Sequence, residues 1–168
     1  AHNLASRIRT ILSDNLSTKQ IELCQKEWEK CPKDDLYNIT EFLETLNYKF
    51  SKLKDGFVPQ DYFIELFMNA DVLETLSSCS SFILEHEKKK SNLAKVGEFM
   101  VSWLNSPNVK TKFKRDDTVF IKGLDPSFLA KDVFENASGC ILMSATFSPL
   151  QMYADVLGIK NPFLGQYK

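Results

Sequence analysis

The sequence predicts a mainly α fold carrying an incomplete α/β segment, and three observations predict it. Glycine and proline are scarce, six of each, and from Leu4 to Leu104 the apolar residues recur at helical spacing. Beyond Val119 the grammar changes to strand, helix, strand, helix. A single β-α-β unit cannot form a stable parallel sheet, because its strands need neighbours on both sides. The α/β part therefore reads as one edge of something larger.

Leu4, Ile8, Ile11 and Leu12 mark the first helix, which Asp14-Asn15 interrupts. Ser17-Thr18-Lys19-Gln20 has the form of a capping box. The helix it opens places Ile21, Cys24, Trp28 and Cys31 on one stripe until Pro32. Asp34-Asp35 is read as the start of a longer helix with Leu36, Ile39, Leu43, Leu46, Phe50 and Leu53 facing inward and Gly56 as its C-terminal cap. Pro59 opens a helix through Tyr62, Phe63, Leu66 and Phe67. From Asp71 to Leu104 the pattern stays helical, with candidate breaks at Ser77-Ser78 and Lys90-Ser91, and Ser106-Pro107-Asn108 stops it. Val119-Phe120-Ile121-Lys122-Gly123-Leu124 reads as a strand and Asp125-Pro126 as a helix start. Gly139-Cys140-Ile141-Leu142-Met143 is apolar without alternation, as a strand buried on both faces would be. Ser148-Pro149 opens a final helix that Gly158 ends.

Composition narrows the function classes. The 168 residues are 43% hydrophobic and 26% charged, as in a globular domain with a real core. The net charge of -1 does not announce a nucleic-acid binder, so any such role must rest on local patches. No run is long and apolar enough to cross a bilayer, and Ala1-His2-Asn3-Leu4 lacks the pattern of a signal peptide. Cys24, Cys31, Cys79 and Cys140 form no C-x-x-C pair, so no metal site is expected. They read as buried free thiols of an intracellular protein.

Two stretches then become specific. Ala1-His2-Asn3-Leu4 resembles the end of the Asp-Glu-Ala-His-Asn motif of the XPD-type iron–sulfur DNA helicases, and Cys140 to Leu150 resembles their motif III, Ser-Gly-Thr-Leu-Ser-Pro-Leu. Ala145 stands where that family often has Gly, a change common in related helicases. The helical block lies where the family inserts its Arch domain, and Leu124-Asp125-Pro126-Ser127 resembles the return into its first motor lobe. The resemblance implies three regions: 1–13 as the end of motif II with its following helix, 14–116 as the Arch, and 117–168 as the return with motif III.

It further implies a segment of an ATP-dependent helicase that moves 5′ to 3′ on single-stranded DNA in DNA repair. His2 would sense the γ-phosphate, and Ser144, Ala145 and Thr146 would couple nucleotide state to DNA grip. ATP, Mg2+ and a 4Fe–4S cluster would belong to the parent protein and none would be bound wholly by this chain. It holds no G-x-x-x-x-G-K-S/T phosphate loop, and the family's loop and cluster cysteines lie upstream. The chain alone is therefore expected to be inactive.

Two basic clusters are candidates for the DNA backbone: Lys88-Lys89-Lys90 with Lys95, and Lys110, Lys112, Lys114 and Arg115 with Phe113 interleaved to stack on a base. Against the first stand Glu85 and Glu87, which make a solvated helix face the plainer reading; against the second stands a flexible basic loop. Trp28, Phe63, Phe67 and Trp103 read as core. The expected partners are single-stranded DNA and proteins docking on the Arch, with no membrane, in the cytoplasm of an archaeon or bacterium or the nucleus of a eukaryote. The rival reading is a non-enzymatic helical protein-interaction module.

Overall fold

The computed structural model describes residues 2–33, 36–105, 107–143 and 148–165. Its elements run α1 (His2–Ile11), β1 (Asp14–Ser17), α2 (Thr18–Lys30), α3 (Thr40–Lys52), β2 (Gly56–Phe57), α4 (Ile64–Phe67), α5 (Ala70–Glu87), α6 (Asn92–Leu104), β3 (Lys110–Arg115), β4 (Thr118–Gly123), α7 (Ser127–Asn136) and α8 (Leu150–Leu157). Short 3-10 turns at Gln60–Phe63 and Pro107–Val109 precede α4 and β3.

The local signals explain most helix ends. The Ser17 hydroxyl accepts from the Gln20 amide at 3.3 Å, and the Gln20 side chain accepts from the Ser17 amide at 2.9 Å, completing the expected capping box. Asn69 caps α5 through Val72, and Ser91 caps α6 through the Leu93 amide. The break between these helices falls at 88–91, not at Ser77-Ser78. There Lys88 takes a left-handed conformation at φ 49° and Ser91 restarts the chain. Gly158, at φ 68°, ends α8 as expected.

Several elements differ from the sequence reading. The helix expected from Asp34-Asp35 begins only at Thr40, and the two aspartates lie outside the described residues. Ile39 is nevertheless buried, and Trp28 donates to the Thr40 hydroxyl at 3.1 Å, so tertiary contacts set the boundary. That helix is capped at Leu53. Gly56 lies beyond it, at φ 129° in β2, a conformation open to glycine. The interruption at Asp14-Asn15 is itself a strand. The basic segment Lys110–Arg115, read as a loop, is a strand as well.

The strands form one antiparallel sheet in the order β1-β4-β3-β2. Val119–Gly123 is therefore a strand as expected, but an inner strand of this sheet and not a parallel strand of a motor lobe. Its register sets Leu16 opposite Val119 and Asp14 opposite Ile121. Gly139–Met143 is not a strand: Ile141 and Met143 are 84% and 86% exposed. Its apolar character is that of a buried strand, but an isolated segment has no ladder to join.

Among the described residues two hydrophobic cores result. The larger joins Leu16, Val119 and Ile121 of the sheet to α2, α3, α5 and α6, with Phe50, Phe63, Phe67, Phe99 and Trp103 in mutual ring contact. The smaller joins Ala5, Ile8 and Leu12 of α1 to Ala130 and Leu157. The chain leaves the smaller core through β1 and returns through its partner β4, so the helical body is inserted between adjacent antiparallel strands.

Candidate nucleic-acid interface

Strand alternation divides the second basic cluster. Lys110, Lys112 and Lys114 share the inward face with Val119, Ile121 and Gly123, whereas Thr111, Phe113 and Arg115 face outward. Lys112 is 3% exposed, with its ammonium 5.1 Å from the centre of the Trp103 ring. Burial, and then the neighbouring Lys110, hold its pKa below the usual lysine value. Lys110 donates to the Ser102 carbonyl at 3.1 Å, and burial lowers its pKa too. Lys114 pairs with Asp55 at 3.4 Å and donates to the Asp116 carbonyl. The structure thus commits these three lysines to the protein. The sequence showed a run of basic residues; the alternation was hidden because the inward positions are themselves lysines.

Phe113 and Arg115 remain on the open side, where Phe113 stacks on Phe120 with ring centres 5.2 Å apart and planes at 18°. Phe57 stands directly opposite Phe113 on β2 and is 73% exposed. Lys122 places its ammonium 5.7 Å from the Phe120 ring centre. Phe57, Phe120 and Lys122 were not singled out from sequence. Register unites them, and register becomes visible only once β3 is known to be a strand.

The first cluster forms the turn between α5 and α6. Lys88 and Lys90 are exposed there. Lys89 pairs with Glu87, which also accepts from Lys30 at 2.8 Å. These two cations pull the Glu87 carboxyl down to about 2. Lys95 pairs instead with Asp14 of β1, tying α6 to the sheet. Asp14 also acts on the charge of Lys110, so one member of each basic cluster lies beside the same carboxylate.

His2 lies in the first turn of α1. Ser144, Ala145 and Thr146 lie outside the described residues. Cys24, Cys31 and Cys79 are buried and free, as expected, whereas Cys140 is exposed. Burial raises all three buried thiols, Cys79 to about 12. Trp28, Phe63, Phe67 and Trp103 are core residues. Among the described residues no His, Cys, Asp and Glu side chains gather in a group that could hold a metal ion, and no helix is long and apolar enough to cross a membrane.

No protein-family model matches the chain, and no curated protein does. Solved structures do match. A structure of XPD in its apo form aligns with a TM-score of 0.64 at 21% identity, over 95% of this chain and 31% of that one. A second XPD helicase structure aligns with a TM-score of 0.66 at 20% identity, over 95% of this chain and 28% of that one. The chain spans less than a third of the length of each. It has the fold of a segment of an XPD helicase, the family that its two terminal motifs resemble.

Proposed function

We propose that this chain is the Arch-bearing segment of an ATP-dependent DNA helicase that moves 5′ to 3′ along single-stranded DNA in repair. The observation that supports this most is the insertion geometry: a helical body entered through β1 and left through its ladder partner β4, growing from a second core built of α1, α7 and α8. An element attached by paired strands can lean as a unit over a strand held by the lobe beneath it. Exposed apolar side chains on the smaller body, among them Ile11, Val133, Ile141 and Met143, suit a lobe whose sheet continues elsewhere in the parent. ATP and Mg2+ would bind across the motor lobes and the 4Fe–4S cluster upstream, with His2, Ser144, Ala145 and Thr146 contributing γ-phosphate sensing and coupling.

The test is ATP hydrolysis by the full-length parent, with and without single-stranded DNA, and unwinding of duplexes bearing a 5′ or a 3′ tail. The reading requires DNA-stimulated hydrolysis and a 5′-tail preference. Ser144→Ala with Thr146→Ala should keep nucleotide binding and lose unwinding. A full-length protein without DNA-stimulated hydrolysis would overturn the reading and leave a helical interaction domain as the better account.

A further inference from the structure

The outward face of the sheet carries an aromatic row whose register runs Phe57–Phe113–Phe120, with Asn15 next in line on β1. Neighbouring strands lie about 4.8 Å apart, so the row spans roughly 10 Å, enough for about two stacked bases. On either side of it lie Arg115, in the row with Thr118, and Lys122, in the row with Thr111. These are the only charged residues at outward positions of the four strands. Both are exposed and both are basic. Of the acids nearby, Asp14 faces inward to Lys95, Asp55 takes Lys114 and Asp116 lies in the turn. The Asp117 carboxylate accepts from the Thr118 hydroxyl at 2.8 Å at the edge of this face, in the row of Arg115.

A hairpin gains from a cross-strand aromatic pair such as Phe113 and Phe120. It gains little from Phe57, a residue 73% exposed. We infer that this face binds single-stranded nucleic acid, with bases stacking on Phe57, Phe113 and Phe120 and phosphates meeting Arg115 and Lys122. The choice of ligand rests on the helicase reading; the location rests on the register and on the sign of the flanking charges.

The experiment measures binding of fluorescent oligo-dT and oligo-U to the full-length parent by anisotropy across a salt series. The variants are Phe57→Ala, Phe57→Trp, and Arg115→Gln with Lys122→Gln. Phe57→Ala should weaken binding by about 5-fold or more, since base stacking on an aromatic is worth at least that, and Phe57→Trp should restore it. The double Gln variant should flatten the salt dependence by a slope of about 2, one per lost phosphate contact. Photo-crosslinking with iodouracil oligonucleotides should label the peptides of Phe57 or Phe120. Wild-type affinity and salt slope in these variants, with crosslinks elsewhere, would overturn this inference and leave the helicase reading intact. A full-length protein that binds neither oligonucleotide would overturn both.

Discussion

The carboxylate of Glu27 is locked onto Asn92: one oxygen accepts the Asn92 amide at 2.7 Å, the other its side-chain nitrogen at 2.8 Å. Ser91 adds a hydroxyl at 2.8 Å and Leu93 an amide at 3.3 Å. A residue in α2 thereby satisfies the free amides that begin α6, and its negative charge faces the positive end of that helix. Glu27 is only 4% exposed.

Loss of Glu27 should therefore destabilise more than an ordinary surface change. Glu27→Gln turns an amide group towards the Asn92 donors and removes the charge, costing about 1–3 kcal/mol. Glu27→Ala strands the donors altogether and should cost at least as much. Denaturant unfolding followed by the fluorescence of Trp28 and Trp103 measures both. A Gln variant as stable as the parent would show that the charge is irrelevant to the junction.

Gly123 makes a second prediction, at the seam between the two bodies. A Cβ there would lie 2.4 Å from the Leu12 Cβ and 3.1 Å from the Arg9 carbonyl oxygen. The Gly123 amide donates to Ser13 at 3.0 Å in the same contact. Strand β4 can approach α1 this closely only without a side chain. Gly123→Ala should cost about 1–3 kcal/mol through overpacking. Gly139→Ala, with nothing within 4 Å of its new methyl, should change stability by no more than about 0.5 kcal/mol. Equal effects in the two variants would contradict the close approach.

What could be read from the sequence follows from the range of the forces involved. The Ser17–Gln20 capping box and the Gly158 cap are decided within one helical turn, and both were legible. The start of α3 was not, because Thr40 is fixed by Trp28 from another helix. Gly139–Met143 has the composition of a buried strand, yet strand character belongs to a ladder and not to a segment. The candidate interface was legible only in part, for a related reason. Lys110, Lys112, Phe113, Lys114 and Arg115 look alike in a list of charges, and only pairing with β4 separates the inward lysines from the outward Phe113 and Arg115.

The buried thiols predict an alkaline limit. Burial raises Cys24 and Cys31 above the ordinary thiol value of 9.0 and Cys79 to about 12. Above pH 9 the unfolded chain releases protons that the folded chain keeps, so stability falls as pH rises. The slope is about 1.4 kcal/mol per pH unit for each such thiol, and for Cys79 the loss continues to about 12. Lys110 and Lys112 act in the opposite sense: their folded values lie below 10.5, so they favour folding as pH climbs towards 10.5. The three thiols outnumber the two lysines and begin to act at a lower pH. Denaturation midpoints should drop between about pH 8 and pH 10, and Cys24→Ala with Cys79→Ala should shallow that drop. An unaltered slope in the double variant would assign the alkaline loss to other groups.

Lys112 separates a basic patch from a placed strand. If its charge gripped phosphate, Lys112→Met would weaken DNA binding and reduce the salt slope by about 1. Its position says otherwise: the residue is 3% exposed, its ammonium lies over the Trp103 ring, and Lys110 neighbours it on the same face of β3. Met has a similar length, fills the same space and removes a charge whose burial is unfavourable, at the loss of one cation–π contact. Lys112→Met should therefore leave single-strand affinity unchanged in the full-length protein and shift stability by no more than about 1–2 kcal/mol in either direction. Lys112→Glu should destabilise, because a carboxylate buried there faces the electron-rich Trp103 ring and the nearby Lys110 offsets that cost only in part. A Met variant that folds normally but loses DNA affinity would show that Lys112 turns outward to reach the strand, and the alternation of β3 would not describe the bound state.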